Sequence, residues 1–328
     1  MGFDWDSSGS TTITTAVLRE AIRKANIPIL IAGGKGAKAK KTPEEIEELG
    51  YELNFSTNLI EKLKMISRIV AKVDSVLLQD GYSLYHHVIL ASKEGYWTVI
   101  QQGMNLELKL ARRYHWNYQV ESYVENPHKG ILGVKVHDTV LNLTSKKSHE
   151  TRQCLVEIAC EKPKKVRSLL LQALRVVKGD QSIERYITNQ EKEIKAKWNI
   201  KAYRIEPTKV NWKALEEAYE RQCRNIIELL NIKGLGPSTI RALALISNII
   251  YGTEIDWTDP LRYGYAFGGK DGVPYPVNKR LMDEVISILE EAVDRAKGKI
   301  EYRVLKHLKN IIPRRKHISY IVYVKNPQ

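Results

Sequence analysis

Apolar positions in the first part of the chain follow a helical period and then form a strand-like run. They recur every three to four residues from Thr12 to Ala25, and a short apolar run, residues 27–32, ends at Gly33 and Gly34. This order predicts a helix and then a buried strand, which leaves into a loop of glycine, lysine and alanine over residues 33–41. Thr42 offers an N-cap before a proline and two acids, so we predict that a helix begins there.

The middle of the chain changes to a pattern typical of strands. After a second predicted helix at about Thr57–Val73, residues 83–92 and 96–102 are rich in aromatic and β-branched side chains, with Lys93-Glu94-Gly95 between them. This arrangement predicts an antiparallel hairpin, and we expect further extended segments as far as about Leu143. From Glu150 onward the period is helical, with apolar positions at Val166, Leu170, Leu174 and Val177.

These patterns predict an α+β protein with two domains and an extension. We expect a mixed α/β domain over residues 1–147 that carries the antiparallel hairpin and any catalytic site. A mainly helical domain is expected over residues 148–298. Residues 299–328 form a basic extension, in which the apolar stretch 318–324 predicts an added strand.

Composition adds an expected partner and compartment. Lys plus Arg outnumber Asp plus Glu by 52 to 38 in 328 residues, a net charge of +14, which favours a polyanionic partner over a merely well-solvated surface. The three cysteines have no Cys-x-x-Cys spacing, and no apolar run approaches the roughly 18 residues of a membrane span. We therefore expect a cytoplasmic protein with no membrane contact; protein partners are not predicted.

Residues 212–251 carry the most specific motif. Leu215, Tyr219, Cys223, Ile226 and Leu230 recur at helical spacing, and Lys233-Gly234-Leu235-Gly236-Pro237 follows. This order predicts two helices joined by a Gly-apolar-Gly turn, with proline in the first turn of the second helix. It resembles the helix-hairpin-helix motif of DNA repair and recombination proteins; an ordinary αα-hairpin is the alternative.

The predicted hairpin would bind a phosphate backbone, because free N–H groups and the helix dipole favour an anion at the start of a helix. Such contacts carry no base information, so we expect binding to DNA of any sequence. The predicted DNA-binding residues are Lys233, Gly234, Leu235, Gly236, Ser238, Thr239 and Arg241, with Lys35, Lys270, Arg314 and Arg315 from basic loops elsewhere.

The predicted strands are unusually polar for strands, so we place the first candidate active site there. The predicted catalytic residues are Asp80, His86, His87, Gln102 and His115. Since neighbouring strand residues point to opposite faces, only one of the two adjacent histidines can join one site. A metal-dependent nuclease would need a divalent ion such as Mg²⁺ or Mn²⁺. Asp80 with Glu107-x-Lys109 weakly resembles the spacing of a carboxylate and then Glu-x-Lys in restriction-type nucleases. Hydrogen-bonded packing is the alternative for the histidines.

A second candidate site follows the hairpin. Helix-hairpin-helix DNA glycosylases place a catalytic aspartate about twenty residues beyond the second glycine, where this chain has Asp256 and then Asp259. The lysine of the lyase members is replaced by Ser238. Either aspartate could instead make a turn. A glycine- and proline-rich stretch, residues 263–277, is long enough for a functional loop.

Several motifs in order resemble a mostly archaeal family, domain of unknown function 763. They are Gly2-Phe3-Asp4-Trp5, Ala32-Gly33-Gly34-Lys35-Gly36, Leu78-Gln79-Asp80-Gly81-Tyr82, Gln101-Gln102-Gly103-Met104-Asn105, Ala111-Arg112-Arg113-Tyr114-His115-Trp116 and residues 267–277. The resemblance implies candidate positions and no activity, and it favours these blocks over Glu107-x-Lys109. It also implies a segment before the first block, so we expect a shortened, truncated or internally started chain.

Taken together, these features predict a DNA-processing protein, a structure- or lesion-directed hydrolase (nuclease) in DNA repair. Two alternatives stay open: a helix-hairpin-helix DNA glycosylase, and a noncatalytic nucleic-acid-binding adaptor.

Overall fold

The computed structural model describes residues 8–133, 135–178 and 189–261. Within them, helices surround an antiparallel five-stranded sheet, which confirms the α+β class. The strands are β1 (Ile29–Lys35), β3 (Ser83–Ser92), β4 (Trp97–Asn105), β5 (Leu110–Asn117) and β6 (Gly130–Leu132), hydrogen-bonded in that order. Two short strands, β2 (Leu78–Gln79) and β7 (Leu141–Asn142), pair separately.

Three of the four α-helices described in the first half lie where the sequence predicts them; the exception, at residues 37–40, lies in the predicted loop. The four are α1 (Ser8–Lys24), α2 (Ala37–Lys40), α3 (Thr42–Glu52) and α4 (Thr57–Lys72), and α4 continues into a π-helical turn, Val73–Leu77. The Ser56 hydroxyl accepts the Leu59 N–H and so caps α4. The predicted hairpin is confirmed as β3 and β4, and both flank a tight turn at residues 93–96.

The loop predicted at residues 33–41 is wrong at residues 33–35, which belong to β1, and at residues 37–40, which form α2. β1 continues through Gly33 and Gly34 to Lys35, and α2 follows almost at once. A Cβ at Gly33 would lie 2.1 Å from the His87 carbonyl oxygen, and Gly33 has a φ of 102°. The glycines therefore allow β1 to pair closely with β3, and the pattern of side chains along the sequence does not reveal this.

The described residues from 149 to 261 are mainly helical, as predicted. Their helices are α5 (His149–Ala159), α6 (Pro163–Lys178), α7 (Asn189–Asn199), α8 (Trp212–Arg221), α9 (Ile226–Leu230) and α10 (Pro237–Ile250). The single helix expected from Leu215 to Leu230 is divided into α8 and α9, because Gln222 is left-handed with a φ of 49°. Residues 263–277 and 299–328 lie outside the described residues, so their predicted loop and strand stay predictions.

One hydrophobic core extends across the expected boundary at residues 147 and 148. It includes Leu30 and Val99 of the sheet, Leu155 of α5 and Leu243 of α10. Backbone hydrogen bonds join residues 140 and 142 to residues 257 and 256. In the described ranges, no helix has both the length and the apolar run needed to cross a membrane.

Candidate functional site

The turn between α9 and α10 has its carbonyl oxygens tied to the rest of the protein. The oxygens of Gly234, Leu235 and Pro237 accept hydrogen bonds from Asn211 Nδ2 (3.1 Å), Lys72 Nζ (2.7 Å) and Gln79 Nε2 (3.0 Å) respectively. Lys72 and Gln79 come from α4 and β2, so the first half of the chain fixes this turn.

The N–H groups of the same turn remain available. Among the described residues, neither the Gly236 N–H nor the Ser238 N–H has an acceptor, and Lys233 beside them is exposed. Gly234 has a φ of 81°, and a Cβ there would lie 2.5 Å from Asn211 Nδ2. The start of the 14-residue α10 therefore presents donors outward and keeps acceptors inward.

The predicted hairpin residues divide by exposure. Lys233, Gly234 and Gly236 are at least partly exposed, and so is Ser238. Leu235 and Thr239 are buried, and the Thr239 hydroxyl accepts the Asn211 N–H at 3.0 Å. Arg241 is half-buried, with its Nε donating to Gln79 Oε1 at 2.8 Å.

This burial corrects part of the predicted set: the Leu235 and Thr239 side chains hold the hairpin and do not face a partner. Lys35 is exposed at the end of β1, on a different element. Lys270, Arg314 and Arg315 lie outside the described residues.

Cross-strand register creates a polar row on the face of the sheet that α1 covers. Lys35 pairs with His86, His86 with Gln102, and Gln102 with Arg113, so these four side chains share one face. His115 lies two residues beyond Arg113 and shares that face. We call these five residues the polar row.

Several buried atoms of the polar row lack hydrogen-bond partners. Among the described residues, no partner is present for His86 Nδ1, Arg113 Nε or His115 Nε2, nor for either amide atom of Gln102. Burial, with a smaller effect of nearby positive charge, lowers the pKa of His86 to about 4 and that of His115 to about 3. Both imidazoles are therefore neutral at pH 7.

The opposite face carries a separate, satisfied network around Asp74. His87 lies between Ser67 Oγ (2.8 Å from Nε2) and Gln101 Oε1 (2.9 Å from Nδ1). Gln101 Nε2 and Trp116 Nε1 donate to Asp74 Oδ2, and His128 contacts Asp74 Oδ1. The π-helical turn places Asp74 there. Adjacent His86 and His87 thus belong to different faces, as strand alternation requires.

Asp80 and Asp259, expected from two different reaction types, converge on one arginine. Arg112 Nη1 donates to Asp80 at 2.9 Å and Nη2 to Asp259 at 2.8 Å, with all three side chains fully buried. Tyr114 also donates to Asp80, and the His137 N–H to Asp259. Although burial opposes it, the two carboxylates raise the pKa of Arg112 above its ordinary value. We call Arg112, Asp80 and Asp259 the arginine clamp.

The other predicted site residues lie apart from these groups. Glu107 and Lys109 are exposed in the turn between β4 and β5, away from buried Asp80. Asp256 accepts the Thr258 N–H at 2.9 Å, an ordinary turn contact. Across the described ranges, no three His, Cys, Asp or Glu side chains are arranged to hold a metal ion.

The predicted catalytic residues did not include Arg113, the buried charge of the row, although it lies in one of the family-like motifs. Register was the signal that could have found it, since Arg113 stands opposite Gln102 only once β4 and β5 are paired. Sequence reasoning also missed Lys72 and Asn211, because their contacts with the turn span long sequence separations.

Comparison with known proteins gives one match. A family described as "Protein of unknown function (DUF763)" matches residues 1–277. No curated protein and no solved structure matches the chain.

Proposed function

The chain belongs to the family of proteins of unknown function DUF763, and from the contacts of its hairpin we propose that it binds DNA along the phosphate backbone, independent of base sequence. The observation that carries the proposal is that the polar groups of the turn before α10 are occupied on one side only. Its carbonyl oxygens are occupied by Lys72, Gln79 and Asn211, whereas the N–H groups of Gly236 and Ser238 are free among described residues.

A phosphate oxygen fits this arrangement. It accepts hydrogen bonds from backbone N–H groups, and the positive end of the α10 dipole favours its charge. Lys233 is exposed next to the turn, and the net charge of +14 favours a long polyanion over a single anion. Because none of these groups reads a base edge, DNA of unrelated sequences should bind alike.

Gly236 provides a test that leaves the fold intact. Its backbone is extended, and a Cβ there would meet only the Gly234 carbonyl oxygen, at 3.9 Å. A Gly236→Val variant should therefore fold normally while its side chain crowds the outward N–H groups. We expect the fluorescence anisotropy of labelled duplexes to show binding weakened by about tenfold for every sequence.

Lys233→Gln tests the charge, with exposed Lys93→Gln as the control of equal charge. Lys233→Gln should lower the slope of log affinity against log salt concentration by about one. Lys93→Gln should leave the slope unchanged if the hairpin is the contact. Unaltered DNA affinity in folded Gly236→Val and Lys233→Gln proteins would refute the proposal.

Hydrolysis of the bound DNA, as in a repair nuclease, is the second candidate function. It is favoured by the unpartnered atoms of His86, Gln102 and His115, which lie together on the α1-covered face. The glycosylase alternative has less support, because the Asp259 carboxylate is occupied by Arg112 and by the N–H groups of His137 and Leu261. A noncatalytic adaptor would use the hairpin alone.

One set of substrates separates these functions. Labelled single strands, duplexes, flaps and duplexes with damaged bases are incubated with and without Mg²⁺ or Mn²⁺, and then with or without alkali. Direct cleavage indicates a nuclease, and cleavage only after alkali indicates a glycosylase. Retained binding with no product under any condition would leave the adaptor.

A further inference from the structure

The interface between α1 and the sheet is polar on both sides. Thr11 and Thr15 of α1 are buried against the sheet, whereas Ile13 and Val17 are 64% and 61% exposed. An ordinary surface helix buries its apolar residues and exposes its polar ones, so the first turns of α1 are reversed, although Leu18 and Ile22 farther along the helix are half-buried. Hydrophobic burial therefore does not explain the polar contact between Thr11, Thr15 and the sheet.

The polar row supplies the other side of this interface, and its Arg113 has no carboxylate partner among the described residues. Arg113 is 2% exposed, its one described hydrogen bond is a long contact with Thr11 Oγ1 (3.4 Å), and it forms no ion pair with a described carboxylate. A buried charge without a partner is costly, as is each buried polar atom without a hydrogen bond. Five such atoms at one interface indicate that something polar belongs there.

The protons of this interface can be assigned. The Thr15 hydroxyl donates to the Thr11 carbonyl oxygen at 2.9 Å, so at the 3.2 Å contact His86 Nε2 must donate to Thr15 Oγ1. Neutral His86 then carries its only proton on Nε2, which leaves Nδ1 as an acceptor. Gln102 offers one donor and one acceptor, and Arg113 Nε is a donor.

We propose that the interface between α1 and the polar row binds a protonated phosphate group, either inorganic phosphate or a phosphate monoester. The guanidinium of Arg113 balances its charge, and the donors of Arg113 and Gln102 bind its oxygens. Its P–O–H group donates to His86 Nδ1 or Gln102 Oε1. Inorganic phosphate retains such a proton in both of its ions near neutral pH, whereas a phosphate monoester, whose second pKa is about 6, retains it in about half of its molecules at pH 6, the pH chosen for the titrations.

Sulfate provides a matched control, since it has a similar shape and charge but no proton to donate at pH 6. Facing unprotonated oxygens, the acceptors of His86 and Gln102 would be left unsatisfied, and this disfavours sulfate. Calorimetric titration with inorganic phosphate, with sulfate and with adenosine 5′-monophosphate should give binding of phosphate and little binding of sulfate. Binding of the nucleotide assigns the site to monoesters, and binding of phosphate alone assigns it to the free ion.

Arg113→Gln should weaken phosphate binding by about ten- to a hundredfold, the range for a hydrogen bond to a charged group. Exposed Arg204→Gln removes an equal charge elsewhere and should change nothing. If Arg113→Gln fails to fold, Gln102→Glu decides, because its carboxylate would pair with Arg113, preserve the fold and exclude phosphate.

Three outcomes would overturn the proposal. They are an absence of binding by both phosphate compounds, equal binding of sulfate and phosphate, and undiminished phosphate binding in Gln102→Glu. The titrations contain no DNA, so their outcome does not depend on whether the hairpin binds DNA.

Discussion

At the scale of single residues, the buried charge of Arg112 determines which side chains contact one another. Arg112 is fully buried between Asp80 and Asp259, so it joins β5 to the residues that follow α10. The Arg112 guanidinium also lies 4.6 Å from the Tyr82 ring centroid. Two of the aspartates expected from sequence to act in catalysis are therefore occupied by this contact.

Removing the arginine should be much more damaging than removing a surface charge. We expect Arg112→Met to lower the free energy of unfolding by about 3–5 kcal/mol, because two carboxylates are left buried without their cation. Lys165→Met, which breaks an exposed ion pair with Glu161, should leave the free energy of unfolding nearly unchanged. Urea denaturation of the two variants measures both values. Similar small losses would mean that Asp80 and Asp259 do not depend on Arg112.

The two adjacent histidines should carry their protons on different nitrogens. Gln101 Nε2 donates to Asp74, so Gln101 Oε1 must accept from His87 Nδ1, and His87 Nε2 accepts the Ser67 hydroxyl proton. His86 has the reverse assignment. Nitrogen-15 chemical shifts at pH 7 should show Nδ1–H for His87 and Nε2–H for His86. In Gln101→Leu the His87 preference should weaken while that of His86 stays; the same tautomer at both positions would contradict the assignment.

At the scale of elements, the hairpin depends on α4. Lys72 is half-buried, burial lowers its pKa, and its ammonium donates to the Leu235 carbonyl oxygen. Lys72→Met keeps the aliphatic stem but removes this bond, so the turn should loosen. We expect hydrogen exchange of the Leu235 amide, which donates to the Ile232 carbonyl oxygen, to quicken and DNA affinity to fall by several-fold. Lys62→Met, on the exposed side of α4, is the control. Unchanged exchange rates would show that Lys72 does not position the turn.

How far the sequence predicts each element depends on whether local side chains or distant contacts determine it. The β3–β4 hairpin and helices α3 and α4 were predictable, because alternation, a helical period and an N-terminal proline act within a few residues. The break at Gln222 and the extension of β1 through Gly33 were not. Gly33 is determined by the approach of His87 from β3, which lies more than fifty residues away.

At the scale of the whole molecule, the candidate sites exist because the chain topology brings distant residues together. The polar row exists because four strands place Lys35, His86, Gln102 and Arg113 in register. Sequence reasoning selected His86, Gln102 and His115 for their polarity, but it could not separate them from His87 and Asp80. His87 lies on the opposite face of the sheet and Asp80 follows β2, and both contact other groups, which only the folded chain reveals.

The dependence of the free energy of unfolding on pH tests whether the histidines of the polar row are buried. His86 and His115 have folded-state pKa values of about 4 and about 3, below the value of about 6.5 in an unfolded chain. The unfolded state therefore binds more protons as the pH falls, and the stability present above pH 6.5 is lost toward pH 4. Each histidine should contribute a slope of about 1.4 kcal/mol per pH unit in that window. His115→Gln should reduce the measured slope by this amount between pH 6 and pH 4.5, while above pH 7 its difference from the wild type stays constant. An identical slope in both proteins would show that His115 is protonated equally in the folded and unfolded states, and thus that this face of the sheet is open to water.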